Sequence, residues 1–315
     1  MIGIGIIGLG TVGTGTYRIL TEHAALIRRR TGLDLRVVRV AEVDVRKLKG
    51  KGLPRNIVTS DAMELIRDDR VDIVVELIGG MRPASDLISA ALTLGKQVVT
   101  ANKALLAERG DELFRLAAKR GSEIGFEASV CGGIPVIRAV RDGLVGNEFS
   151  YILGILNGTS NYILSRMTDE GISFAEALKD AQRKGYAEKD PTFDVEGIDA
   201  AHKLSLLVRL AFASPVTMDR ITTRGIAKID PVDIGFARDF GYKIKLLAIA
   251  KRRGPGVEVR VEPAMLPVNH PMSSVNGVYN AVYIVGDMTG PNLFYGKGAG
   301  SEPTGTEPDG TAPDD

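Results

Sequence analysis

The first thirteen residues constrain this chain more than any other stretch. Ile2–Ile7 is a short run of isoleucine and glycine, and Gly8-Leu9-Gly10-Thr11-Val12-Gly13 follows it at once. Each glycine of such a turn has its own task between a strand and a helix. The first permits a tight turn, the second lets backbone approach a pyrophosphate, and the third lets helix and strand pack closely. The helix start then faces the phosphates with N–H groups and a favourable dipole. Gly8, Gly10 and Gly13, with Thr11 and Val12 between them, are therefore candidate dinucleotide-binding residues.

The rest of the first half has the pattern this turn requires. Helical periodicity over Gly13–Arg30 is followed by a β-branched run, Leu35–Ala41. Ser60 is placed to cap a helix through Asp68. Then come an apolar strand Val71–Leu77, a helix Pro83–Leu94, a strand Gln97–Thr100, a helix Ala104–Arg120 and an extended Glu123–Glu127. Strands alternating with helices imply right-handed βαβ units, and continuously apolar strands imply a parallel sheet covered on both faces. The expected fold class is α/β: an N-terminal Rossmann dinucleotide-binding domain over residues 1–135, followed by a second, α+β substrate and dimerisation domain over 136–295.

In that second region strands are expected at Tyr151–Leu156, Lys243–Lys251, Val257–Glu262 and Val278–Val285. Helices are expected at Ser160–Thr168, Ser173–Lys184 and along an apolar stretch to Phe212. A return segment to the first domain is expected at about 296–304. Residues 305–315 close a stretch rich in Gly, Pro, Thr and acid, too poor in apolar groups to order itself.

Composition narrows the partners. The chain has 315 residues, no tryptophan, 5% aromatic residues and a net charge of +1, which argues against base stacking or a polyanionic partner such as nucleic acid. Five acids and no base fall within residues 301–315, so the first 300 carry 40 bases against 34 acids. That mildly basic body suits an anionic small molecule. The single Cys131 excludes an internal disulfide framework and fits a reducing cytoplasm. No stretch is apolar for long enough to span a membrane, and the opening strand has no basic segment before it, so a cytoplasmic protein is expected. His23, His202 and His270 are scattered; no zinc set or Cys/His pair can be assembled from them.

The expected strand ends supply further candidates. Glu42 and Asp44 follow the second strand, where a carboxylate bonds the 2′-hydroxyl of NAD and repels the 2′-phosphate of NADP. Arg46, Lys47 and Lys49 follow closely and suit that phosphate, so both cofactors stay open, with NAD favoured. Gly79, Thr100 and Lys103 lie at the ends of strands on the edge where open α/β sheets bind ligands. Farther along, a carboxylate-rich run from Glu188 to Asp199 leads into His202-Lys203. Asp199 and Lys203, four apart, share a helix face; the pair reads either as proton-transfer chemistry or as a surface salt bridge.

These segments, in this order, resemble the homoserine dehydrogenase family. The resemblance rests on Gly8–Gly13, Glu76–Gly80, Thr100–Ala104, Glu127–Pro135, Asn157–Tyr162 and Asp190–Lys203, and covers roughly residues 1–304. It implies interconversion of L-homoserine and L-aspartate 4-semialdehyde with a nicotinamide cofactor, in amino-acid biosynthesis leading to threonine, methionine and isoleucine. It also implies roles: Lys203 as general acid/base beside Asp199, with Lys103 as the rival proton carrier. Glu188 would hold the substrate ammonium, and Gly158, Thr159 and Asp194 would shape the pocket. Gly185 and Lys103 would lie where cofactor meets substrate, and Gly300 in the return segment would touch the cofactor. Glu127 with the carbonyls of Val130, Gly132 and Ile134 resembles the family's monovalent cation site, usually sodium. A homodimer is implied as well.

The chain departs from the family pattern after Thr304, where Gly305-Thr306-Glu307-Pro308 replaces a helix. It also carries no regulatory domain after the catalytic body, so threonine feedback through one is not expected. Two other readings stay open: a different amino-acid or semialdehyde dehydrogenase, and a truncated dinucleotide-binding protein of weak or no catalysis.

Overall fold

The computed structural model describes residues 1–48 and 52–298. Lys49, Gly300, the end of the expected return segment and the tail lie outside the described residues. The chain divides into two units, the first ending at Ser129 and the second beginning at Val130.

The first unit contains, in chain order, β1 (Ile2–Ile7), α1 (Thr11–Glu22), α2 (Ala24–Thr31), β2 (Leu35–Ala41), β3 (Val58–Thr59), α3 (Ala62–Arg67), β4 (Ile73–Glu76), α4 (Ala84–Thr93), β5 (Gln97–Thr100), α5 (Lys103–Arg120) and β6 (Ile124–Gly125). The strands form one sheet in the order β3-β2-β1-β4-β5-β6, every pairing parallel. This is the doubly wound order whose reversal lies between β1 and β4, the place where such sheets bind dinucleotides. Ile4, Ile6, Leu9, Val40 and Val75 form a buried cluster on which Tyr17, Leu20 and Leu77 pack.

Local chemistry sets several boundaries. The helical stretch expected as Gly13–Arg30 breaks at His23 into α1 and α2, because His23 leaves the helical region. Asp61, not Ser60, caps α3: its carboxylate accepts from the Met63 N–H at 2.8 Å. A carboxylate there also complements the helix dipole.

The second unit contains α6 (Val136–Arg138), β7 (Phe149–Ile155), α7 (Gly158–Glu170), α8 (Phe174–Arg183), α9 (Thr192–Val195), α10 (Ile198–Phe212), β8 (Thr222–Thr223), α11 (Pro231–Asp239), β9 (Tyr242–Arg253), β10 (Gly256–Pro267), β11 (Tyr279–Gly286) and β12 (Gly290–Lys297). Its sheet runs β12-β11-β7-β9-β10-β8, antiparallel except for the β10–β8 pair. Helices α7, α10 and α11 all pack on β9. Both α8 and α11 begin with reciprocal caps, Ser173 with Glu176 and Asp230 with Asp233. The second of these, followed at once by Pro231, marks a helix that the apolar pattern alone does not reveal.

Two expected boundaries are corrected. Residues 130–135 belong to the second unit, because Asn280 of β11 donates to the Cys131 sulfur at 3.6 Å and Gly296 of β12 packs on Ile134. Residues 296–297 are no return segment either: Gly296 and Lys297 complete β12, paired with Asn280 and Tyr279 of β11.

Ile6 is fully buried near the end of β1, and large-to-small changes at such sites cost about 2–5 kcal/mol. Ile6→Ala is expected to lower the first urea unfolding transition accordingly. A shift below about 0.5 kcal/mol, the scale of ordinary surface substitutions, would contradict the placement of this core.

Candidate active site

In the first unit the glycine turn meets its structural requirements one residue at a time. Gly8 has φ +92°, and a Cβ there would lie 2.7 Å from an Ile78 methyl. A Cβ on Gly13 would come within 2.0 Å of the Gly8 carbonyl oxygen. Gly10 differs: among the described residues nothing lies within 4 Å of a Cβ built on it. It precedes α1 as N-cap and, among the described residues, no side chain caps the helix, so none of these supplies the N–H groups of Thr11, Val12 and Gly13 with the partners that helix starts require. An open Gly10 beside an uncapped helix start fits a pyrophosphate, which would approach that backbone and accept from those N–H groups.

Glu42, just past β2, reaches back into this turn. Its Oε2 accepts from the Leu9 N–H at 2.8 Å and its Oε1 from Asp44 N–H at 3.2 Å. The expected ribose reader is thus also a brace for the turn. Asp44 accepts from Arg46 Nε at 2.8 Å and from Arg46 Nη2 at 3.1 Å.

Thr100 and Gly79 are joined through a residue to which the sequence reading gave no role. Glu76 is completely buried; its Oε1 accepts from the Ile78 and Gly79 N–H groups at 2.9 and 3.0 Å, and its Oε2 accepts from the Thr100 hydroxyl at 2.6 Å. Asn102 extends the network, donating to the Gly80 carbonyl at 2.6 Å and capping α5 through Leu105. The ends of β4 and β5 are therefore locked to one another, and Lys103 opens α5 directly beside them. An acid closing the apolar run Ile73–Glu76 is the one signal that marks Glu76.

In the second unit Asp199 and Lys203 are both buried on α10 and bonded at 2.7 Å. The surface salt-bridge reading of this pair is excluded. Lys203 Nζ donates also to the Leu156 carbonyl at 2.7 Å. Burial is the largest single influence and lowers its pKa, but the charge and hydrogen bond of Asp199, with Cys131 and Asp194 adding to them, together outweigh burial and hold the ammonium form above its ordinary range. Asn157, a residue with no assigned role in the sequence reading, bridges two acids: its Nδ2 donates to Asp194 at 2.7 Å and to Asp199 at 2.9 Å. Its Oδ1 caps α7 by accepting from Ser160 N–H at 2.8 Å. An Asn three residues ahead of a Ser at a helix start signals the cap; the carboxylate bridge has no sequence signal.

Gly158 and Thr159 are the first two residues of α7. A Cβ on Gly158 would lie 2.7 Å from the Val278 carbonyl oxygen, so glycine is a packing requirement there. The Thr159 hydroxyl donates to the Tyr186 carbonyl at 2.6 Å and pins the turn carrying Gly185. Glu188 stands exposed two residues beyond, its carbonyl accepting from Gln182 at 3.1 Å. Cys131 is wholly buried and its thiol is pushed up to about 11, chiefly by burial, which removes it as a nucleophile. Glu127 opens a short turn closing the first unit, whereas Val130, Gly132 and Ile134 begin the second. Among the described residues no group of three or more His, Cys, Asp or Glu side chains is placed to hold a metal.

The sheet order, the glycine turn and the buried acid–lysine pair define a dinucleotide-dependent oxidoreductase. The family model described as homoserine dehydrogenase matches residues 135–307, and that of the homoserine dehydrogenase NAD-binding domain matches 8–127. The homoserine dehydrogenase of Pseudomonas aeruginosa is 46% identical over 304 residues, 96% of this chain and 69% of its own length. A crystal structure of a homoserine dehydrogenase from Thiobacillus denitrificans superposes with a TM-score of 0.93 at 49% identity, over 96% of this chain and 70% of that one. A hyperthermophilic archaeal homoserine dehydrogenase in complex with NADPH gives 0.81 at 26% identity, over 96% and 94%. The chain belongs to the homoserine dehydrogenase family.

The two outer glycine contacts and the open middle one separate by experiment. Gly10→Ala should fold with unchanged thermal stability yet bind NADPH about tenfold more weakly, since the methyl occupies the approach to the phosphates. Gly13→Ala should lower both, by about 1–3 kcal/mol in stability, the usual cost of overpacking. Fluorescence titration and thermal unfolding of each variant check this, and equal NADPH affinity in Gly10→Ala would refute the assignment.

Proposed function

We propose that this chain catalyses the nicotinamide-dependent interconversion of L-homoserine and L-aspartate 4-semialdehyde, with NAD or NADP. It would act in the aspartate-derived route to threonine, methionine and isoleucine. The observation that carries the reading is the donor count at Lys203. An ammonium has three N–H groups; among the described residues Asp199 and the Leu156 carbonyl take two, and the third would serve a substrate oxygen. Gly8–Gly13 and Glu42 would hold the nicotinamide cofactor, which would supply or accept the hydride.

In the reductive direction negative charge grows on the aldehyde oxygen, and a proton donor there lowers the barrier. Lys203, held as ammonium by Asp199, donates that proton. In the oxidative direction it must first lose a proton, so its environment favours semialdehyde reduction. Lys103 remains the rival carrier. The substrate is a zwitterion: Asp194, Asp199 and Glu188 attract its ammonium, and the N–H groups of Gly158 and Thr159 at the α7 start attract its carboxylate. Asn157 holds two of those acids in one arrangement.

Two further features belong to this reading. A monovalent cation, sodium foremost, would be held by Glu127 and the carbonyls of Val130, Gly132 and Ile134, an all-oxygen set suited to a hard ion; activity in buffer with a bulky organic cation in place of sodium should fall, and equal activity removes the site. A homodimer would form through the sheet face that carries Tyr151, Leu153, Tyr279, Tyr283, Leu293 and Tyr295, placed together by register. Leu293 and Tyr295 are 41% and 54% exposed, an apolar patch of the kind that marks interfaces. Tyr295→Asp should move the size-exclusion peak from dimer to monomer.

The primary assay is homoserine-dependent reduction of NAD and of NADP by the purified protein; no turnover with either sinks the proposal. Lys203→Ala should lose about 10²–10⁴ in rate, the usual share of a general acid, and keep cofactor binding; if Lys103→Ala does this instead, the roles are reversed. Asp199→Asn removes the charge that raises Lys203, so burial then lowers its pKa. The donor form exists below that pKa and is lost above it. The alkaline fall of reductive kcat/KM should therefore begin at lower pH in the variant, and an unmoved limb would falsify the donor role. Glu42→Gln keeps an acceptor for the Leu9 N–H while removing the charge; NADP use should rise relative to NAD, and an unchanged ratio excludes Glu42 as the selector.

A further inference from the structure

The second unit buries another lysine, and the reaction does not use it. Lys245, on β9, is 2% exposed. Its Nζ donates to the Val275 carbonyl at 2.6 Å, to Asn276 Oδ1 at 3.0 Å and to Asn161 Oδ1 at 3.2 Å. Three donors meet three neutral oxygens, and no carboxylate pairs with them among the described residues. A lysine buried without a counter-charge is a costly arrangement. Burial pushes it down to about 8, with Lys243 adding to the effect and Asp169 opposing it, so at neutral pH it still holds the proton its three bonds require.

What the ammonium ties together explains why a lysine stands there. Asn161, on α7, accepts from Lys245 and donates through Nδ2 to the carbonyls of Val275, Gly277 and Tyr279 at 3.1, 3.0 and 3.1 Å. Ser165, one turn later on α7, accepts from the Gly277 N–H at 3.0 Å. Residues 275–278 have no regular structure of their own, and segment 275–279, which runs into β11 at Tyr279, is strapped to α7 by these bonds. It then touches the substrate site twice. Its Val278 carbonyl packs against Gly158, the first residue of α7. Asn280, the next residue but one, donates to the Leu156 carbonyl at 2.9 Å, the oxygen that also receives Lys203.

We infer that Lys245 is a positioning residue for the substrate site: with Asn161 it clamps segment 275–279 and so fixes the start of α7 and the Leu156 carbonyl on which Lys203 rests. This rests on the homoserine dehydrogenase reading. Val, Leu or Met at position 245 would pack in the sheet but leave Asn161 Oδ1 and Asn276 Oδ1 without the lysine donor and the Val275 carbonyl with Asn161 alone, a substantial penalty where such oxygens are buried. The segment would relax away from α7 to find water, and Gly158, Thr159 and Leu156 would lose their common support. Small displacements of this kind act strongly on turnover.

The test compares wild type, Lys245→Met and Asn276→Ala, each as the full chain. In Lys245→Met the KM for homoserine should rise about tenfold or more while the NADPH dissociation constant stays within about twofold, since NADPH is bound by the other unit. Hydrogen exchange of peptides spanning 157–162 and 275–280 should quicken, with the sheet of the first unit unchanged. Asn276→Ala deletes one acceptor at a half-buried position and keeps the proposal testable if Lys245→Met does not fold; its KM should rise about threefold. Folded variants whose homoserine KM and exchange match wild type overturn the positioning role alone. A wild-type enzyme that turns over no homoserine overturns the function, and this inference with it.

Discussion

An ammonium group loses tens of kcal/mol of hydration if it is buried alone in a medium of low dielectric, and the substrate unit is organised around burying one. Lys203 is tolerated inside α10 because Asp199 lies one turn away at 2.7 Å and a backbone carbonyl meets it at the same distance. Those two partners in turn need positioning. Asn157 holds Asp199, and Asn280 shares the Leu156 carbonyl. The start of α7, the end of β7 and β11 all follow from this requirement. Replacing such a pair by apolar residues is often neutral or stabilising, so stability alone does not explain its presence, and the proposed proton transfer would.

The dinucleotide unit answers to a different constraint: backbone must come close to an anion without a side chain between. The glycine turn supplies this, but it is held by carboxylates that the glycine pattern does not mention. Glu42 braces Leu9 and Glu76 folds the turn after β4. Both are acids accepting from backbone N–H groups, the strong class of hydrogen bond. They fix loops on the sheet edge that would otherwise have no regular partner.

How much of this was legible in the sequence depended on the kind of force involved. The positions of β2 and β5 followed residue for residue from β-branched runs, and the ends of α5 and α10 from periodicity. Asp199 and Lys203 were legible as a pair because helical spacing makes i and i+4 neighbours, whereas their burial was not. β12 escaped because its alternation of exposed and half-buried residues leaves an edge strand with little apolar signal. The break at His23, the role of Glu76, the Asn157 bridge and the Lys245 clamp depend on partners 24 to 114 residues away or on local dihedrals, which no periodicity encodes. The unit boundary was misplaced by a few residues for the same reason: Cys131 is claimed by Asn280, 149 residues later.

The uncapped start of α1 has a consequence for the living enzyme. On the proposed reading a phosphate would complete this helix start, and ligand that binds only the folded form stabilises it by about 1.4 kcal/mol for each tenfold excess over its dissociation constant. The folded fraction of this protein would then be tied to the nucleotide pool around it. A drop in that pool would lower turnover and folding stability together, and the abundance of the enzyme would follow the redox cofactor supply of its cell.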